Sequence, residues 1–225
     1  MGAMGYWTDG AQEHGLASTD GGLRLCRCGA GYLLMDSTRI DIEAGPEIEF
    51  ANRPSGNQLP AIIENAMSAH VEVSARRNYW RYLNDEYRRH YRAYRETEDA
   101  IADAQWRSDY YASLPLVERI IRKLLRSLPK SDFPRAARPF TVPPFLPSDE
   151  QVDNMNKLLA LILAGGDAPF KADGLEIAEL HRQLGQFEAA EKALSEYQDE
   201  YHDVFKKMIG DQVAKRSNAP VRFRM

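Results

Sequence analysis

The chain has 225 residues, of which 44% are hydrophobic, and a formal net charge of −4. That length and composition suit one sizeable globular domain, or one with a small appendage, and exclude a chain that is disordered throughout. The acidic balance argues against general nucleic-acid binding, and the longest apolar runs, such as 158–164, are too short to span a bilayer.

Residues 1–3 read as a cloning scar ahead of Met4. The first ten residues have neither the basic start nor the apolar stretch of a secretory signal, so a cytoplasmic address is expected. Leu23, Leu25 and residues 32–35 flank Cys28-Gly-Ala-Gly31, whose glycines suit a tight hairpin. Residues 47–50 are a candidate third strand, and the proline and glycine of 52–57 end regular structure. Residues 4–57 are therefore expected to form a small β appendage, too small to be stable without packing on something else.

Only Arg27 separates the two cysteines, Cys26 and Cys28. A bridge across one residue is strained and cannot serve as a disulfide framework. Structural zinc wants four ligands, the chain has no second cysteine pair, and His14, Asp9 or Asp20 would have to complete a site. No metal or other cofactor is expected. Cys26 and Cys28 become ligands only if zinc is found, and buried, unreactive thiols are the expectation.

Helix dominates from Leu59, and 58–128 is expected as a helical region. Tyr79, Leu83, Tyr87, Tyr91, Tyr94 and Ile101 recur at helical spacings and share one face, with Arg81, Arg88, Arg92 and Arg95 on its flanks. Another helix follows Pro115, where proline suits a first turn. Its expected buried face is Leu116, Val117, Ile120, Ile121, Leu124 and Leu128, with Arg119, Arg122, Lys123 and Arg126 facing water. Six of the 12 prolines fall in 129–147, which marks a connector that Phe133, Phe140, Phe145 and Leu146 hold down. Ser148 and Gln151 form a capping box that restarts helix, lined inside by Val152, Met155, Leu159 and Ile162 and stopped at 165–167. Helices over about 173–184 and 187–201 continue a helical region that spans 148–216, and 217–225 is expected as a flexible basic tail. The fold class is thus mainly α, a helical bundle with a small amino-terminal β-hairpin.

Charge is unevenly spread. Residues 76–138 hold 15 Lys and Arg against 9 Asp and Glu, and residues 150–205 hold 4 against 12. Two helical layers that attract each other explain this, and a basic face offered to a partner is the alternative.

The pair of helices around Leu184-Gly-Gln-Phe-Glu-Ala-Ala190 and Leu194 resembles one tetratricopeptide helix-turn-helix. Gly185 stands at the turn, Phe187 enters the second helix, and Ala178 and Ala190 permit close approach; His181 stands where an aromatic is usual. The whole chain resembles a bacterial protein group that joins a Tyr-Trp-Thr/Ser-Asp-Gly start, a zinc-ribbon-like knuckle and a tetratricopeptide-like hairpin. Here these are Tyr6-Trp-Thr-Asp-Gly10, the degenerate Cys26-Arg-Cys-Gly29 and residues 156–194, with Trp80 to Arg89 and its Asn84-Asp85 adding to the likeness. The resemblance implies architecture and carries no activity with it.

The sequence shows no phosphate-cradling glycine loop, nucleophile elbow or His-Glu-x-x-His helix, and its five histidines have no metal-binding spacing. The expectation is therefore a non-enzymatic protein-protein interaction module, an adaptor or an immunity protein that neutralises a partner toxin. Interfaces favour aromatic and Arg anchors, which makes Tyr87, Arg88, Tyr91, Arg92 and Arg95 the partner-binding candidates. The alternative is a nucleic-acid-associated regulator that uses the basic 76–138 segment, an idea that Asp85, Glu86 and Glu96 weaken.

Overall fold

The structure is a computed structural model that describes residues 5–10, 12–13, 22–34, 52–124, 144–165, 174–198 and 203–224. The expected scar at 1–3, the strand at 47–50, His14 and Asp20, and most of the 129–147 connector lie outside the described residues. The chain is mainly α, with a small antiparallel hairpin near its start, and divides into two compact units: residues 1–86 with 144–225, and residues 87–143. The helical region expected over 58–128 is therefore shared between two units.

In the first unit, β1 (Gly5–Trp7) pairs antiparallel with β2 (Gln12–Glu13). The hairpin of β3 (Leu23–Leu25) and β4 (Gly31–Leu33) sets Leu23 opposite Leu33. Those two leucines face inward and pack with Leu59 and Ile62 of α1 (Leu59–Glu64) and with Val71, Ala75 and Tyr79 of α2 (Ala69–Leu83). The hairpin thus gains from the helices the burial it cannot provide for itself. Ser68 begins α2 by accepting a hydrogen bond from the Val71 N–H at 3.3 Å.

The second unit takes α3 (Asp85–Ser113) from Tyr87 onward, and α4 (Leu116–Leu124). The periodicity predicts one continuous helical face from Tyr79 to Ile101. The helix instead ends at Leu83 and restarts at Asp85, with Asn84 between, and Tyr94 and Ile101 are exposed.

Returning to the first unit, α5 (Asp149–Ala164) starts with the expected capping box. The Ser148 N–H reaches Gln151 Oε1 at 2.8 Å, and the Gln151 N–H reaches Ser148 Oγ at 3.2 Å. Met155, Leu158 and Leu159 of α5 join Trp80 of α2 and Leu180 of α6 (Gly174–Gln183) in a second core. The α6 helix turns through Gly185, whose φ of +76° is left-handed, into α7 (Phe187–Glu196). Ala178 and Ala190 are fully buried where these two helices meet, as the hairpin reading requires.

A further helix, α8 (Asp203–Ala214), supplies Ile209 and Val213 to the α6–α7 core. Tyr197, extended at ψ 119°, ends α7 earlier than the expected 201. The tail also departs from expectation. Ala219 and Val221 are buried, and β5 (Arg222–Arg224) pairs antiparallel with β1, setting Trp7 opposite Arg222. The two ends of the chain close one three-stranded sheet of order β2-β1-β5.

Candidate functional site

The densest set of polar side chains lies inside the first unit, at the motif Trp7-Thr-Asp-Gly10. Trp7, Thr8 and Asp9 are all buried. The Thr8 N–H donates to the Val221 carbonyl at 3.0 Å, and Thr8 Oγ1 accepts from the Val221 N–H at 3.1 Å. Asn84 Nδ2 donates to Asp9 Oδ2 at 2.9 Å and to Gln183 Oε1 at 3.1 Å, and Trp80 Nε1 donates to the same Gln183 oxygen at 2.9 Å. Gln183 Nε2 continues to Glu179 Oε1 at 2.8 Å. Gly10 follows with φ +75°, a backbone only glycine adopts freely, and the Arg81 guanidinium lies where a Cβ would point.

At the centre of this network Arg182 holds Glu179 with Nε at 2.8 Å and Nη2 at 2.6 Å, while both side chains are essentially sealed from water, at 0% and 1% exposure. Arg182 also donates to the Ser217 carbonyl and to Thr8 Oγ1. Gln151 Nε2 caps the Leu83 carbonyl at 3.1 Å and reaches Asn84 Oδ1 at 3.3 Å. The network therefore ties β1, α2, α5, α6 and the carboxy-terminal segment together. Groups bonded and buried in this way rigidify a core; they offer no surface for a substrate.

Charge pairs also join the basic and acidic stretches. Arg77 of α2 grips Glu176 of α6 with two parallel bonds of 2.5 and 2.8 Å. Burial alone would lower the Arg77 pKa, but the bonds and charge of Glu176 outweigh it and raise it. The Tyr79 hydroxyl donates to Glu150 Oε1, and burial together with that carboxylate pushes the phenol up to about 12.

The five partner-binding candidates all fall on α3, and the structure separates them. Arg88 and Tyr91 are buried: one turn apart on α3, they share the helix face that also buries Ala102. Tyr87, Arg92 and Arg95 are half-buried. Tyr87 tilts against Tyr91 at 6.3 Å between ring centroids, Arg92 Nε donates to the Arg88 carbonyl at 3.3 Å, and Arg95 pairs with Asp99 at 3.3 Å.

Among the described side chains of α4 the sides are the reverse of those expected; Lys123, Leu124, Arg126 and Leu128 lie outside that description. Arg119 Nη2 donates to the Ala112 and Leu114 carbonyls at 2.9 and 3.1 Å. Arg122 donates to the Tyr110 hydroxyl at 2.5 Å and lies 5.7 Å from its ring centroid. The open carbonyls at the end of α3 need donors, and Arg119 supplies them, while Arg122 holds the Tyr110 side chain. That draws the basic side of α4 inward and turns its apolar side outward: Leu116 and Val117 are each 69% exposed, Ile120 50% and Ile121 48%. The sequence carries this stripe openly. Its orientation depends on the Arg119 and Arg122 partners, which no local pattern announces.

At the tip of the β3–β4 hairpin Cys26 and Cys28 are both exposed, so the expected burial of these thiols is corrected. The glycine-bearing turn that joins the strands projects them past the edge of the apolar core. Among the described residues, no group of three or more His, Cys, Asp or Glu side chains gathers as metal ligands would. A groove of about 340 Å³ runs between α7 and α8, floored by Phe187, Leu194 and Val213. Arg216 closes one side of it, 5.2 Å from the Phe187 ring centroid and 3.0 Å from Glu188. No described helix is long and apolar enough to cross a membrane. No protein-family model matches the chain, and no curated protein or solved structure matches it.

Proposed function

We propose that this chain is a non-enzymatic protein-binding module, an adaptor or an immunity protein that blocks a partner toxin, and that it docks through the apolar face of α4. One observation carries the reading. Leu116, Val117, Ile120 and Ile121 form a continuous stripe on one helix, and each is about half exposed or more. A contiguous apolar patch on a helix marks a docking surface far more often than scattered apolar residues do. An amphipathic helix of this kind lies in an apolar groove and is read through anchors one turn apart, here Leu116 with Ile120 and Val117 with Ile121. The partner surface is therefore apolar. Arg119 and Arg122 face the end of α3 and serve the module itself.

The test is a Val117→Glu, Ile120→Glu variant used as bait in parallel with the parent chain. Exposed positions tolerate such changes, so the variant should fold with stability within about 0.5 kcal/mol of the parent. The proposal expects partner recovery to fall at least about tenfold, the loss that follows from removing one hot spot. Unchanged recovery by a folded variant sinks it. Fluorescence polarisation with labelled nucleic acid at about 50 mM salt, where phosphate contacts are strongest, separates off the competing reading. Binding there that weakens steeply with added salt would favour the nucleic-acid regulator.

A further inference from the structure

The β3–β4 hairpin closes through Cys26-Arg-Cys-Gly29. The Gly29 N–H donates to the Cys26 carbonyl at 2.9 Å, and the Cys26 N–H donates to the Ala30 carbonyl at 2.8 Å. Gly29 sits at φ +86°, so the turn is tight, and Cys26 and Cys28 occupy its first and third positions. The Cys28 N–H points at the Cys26 sulfur, 3.4 Å away. In an extended strand, alternate Cα atoms stand roughly 6.6–6.8 Å apart, at the upper limit for a disulfide. A turn draws them closer. Structural cysteines are ordinarily buried and inert, whereas these two are exposed while the strands that carry them bury Leu23 and Leu33.

The geometry points to the hairpin tip as a thiol–disulfide exchange site, with Cys28 as the attacking thiol, Cys26 as the resolving thiol and a low-molecular-weight disulfide of the glutathione class as substrate. The roles follow from the sulfur environments. The Cys28 thiol is held below its ordinary pKa, first by the hydrogen bond with the Cys26 side chain and then by the Ala30 backbone. The thiolate is the nucleophile in such exchange, and a resolving thiol beside it is the usual arrangement of a reversible redox pair.

The chemistry balances as a two-electron exchange. Cys28 loses its proton, attacks one sulfur of the small disulfide and releases one thiolate, leaving a mixed disulfide. Cys26 loses its proton and attacks the Cys28 sulfur, which forms the Cys26–Cys28 bond and expels the second thiolate. The two protons end on the two small thiols; the protein dithiol is oxidised and the disulfide is reduced. A bridge across a single residue is strained, and strained, exposed disulfides reverse readily, so the pair would act as a redox-responsive couple and not as a staple. This site stands independently of the docking face on α4.

The experiment uses the full reduced chain, challenged with oxidised glutathione, quenched with a thiol alkylating reagent and read by intact mass. The expected product is the chain lighter by two hydrogens, with no alkyl group and no glutathione, and reversible by reduced glutathione. Cys26→Ser should stall as a stable single glutathione adduct. Cys28→Ser should likewise stall as a single adduct, on Cys26, because neither variant keeps the second thiol that closes the bridge. Both serine variants change exposed side chains, and their circular dichroism and melting curves should match the parent's. Stable adducts on both cysteines of the parent without an internal bond, no reaction at all, or one tightly bound zinc per purified chain would each overturn the assignment.

Discussion

Glu179 and Arg182 carry opposite charges with no solvent access, and each depends on the other. Burying such a pair gains little over an apolar pair of the same volume, but breaking it strands a charge. Glu179→Ala should therefore destabilise the first unit by about 3–5 kcal/mol, because Arg182 keeps its burial and loses both bonds. Replacing both residues with methionine should cost clearly less than Glu179→Met and Arg182→Met added together. Urea unfolding of these three methionine variants checks this, and simple additivity would show that the two side chains are not coupled. The sequence presented Glu179, Arg182 and Gln183 as ordinary polar residues of a short helix. What sets them apart is convergence with Thr8, Asp9, Trp80 and Asn84 from far along the chain, which helical periodicity does not encode. Likewise the start motif at 6–10 was legible as a motif, but its work as a buried tie was not.

Elements meet through specific side chains as well as through apolar cores. Tyr79 of α2 donates to Glu150 in the first turn of α5, so protonation of the phenol supports the packing of these two helices. Its folded pKa lies near 12, above the ordinary value of about 10. A pKa raised on folding means that the folded state holds the proton more tightly. The contribution is complete below about pH 10 and is lost as pH rises towards about 12. The parent chain should lose more stability between pH 9.5 and 11.5, roughly the two sides of this window, than Tyr79→Phe does. Equal losses in chemical denaturation at the two pH values would rule out this coupling. At the same scale, caps and turns were readable from the sequence, as Ser148 with Gln151 and Gly185 demonstrate. The faces were less so. The stripe on α5 buries Met155 and Leu159 as its period requires, whereas the stripe on α4 is exposed because Arg119 and Arg122 bind the end of α3.

At the scale of the molecule, the first unit joins both ends of the chain. Residues 219–221 contribute Ala219 and Val221 to the interior, and β5 completes the sheet on β1. Removing residues 218–225 should expose Trp7 and the free edge of β1. The expected cost is roughly 3 kcal/mol or more, from lost apolar burial and several backbone hydrogen bonds. The truncated chain should show a lower urea midpoint and faster proteolysis at residues 5–10. An unchanged midpoint would return these residues to the status of a loose tail. By itself the sequence determined the class of the fold, the cap that starts α5, the glycine turn between α6 and α7, and the β3–β4 hairpin, because capping, proline and glycine chemistry and apolar spacing act over a few residues. Only the tertiary structure decided which stripes face inward, that the final residues form a strand, that Cys26 and Cys28 meet solvent, and that a charged pair lies at the centre of a core. Each of these depends on partners distant in sequence, where burial and hydrogen bonding are set by what the folded chain brings together.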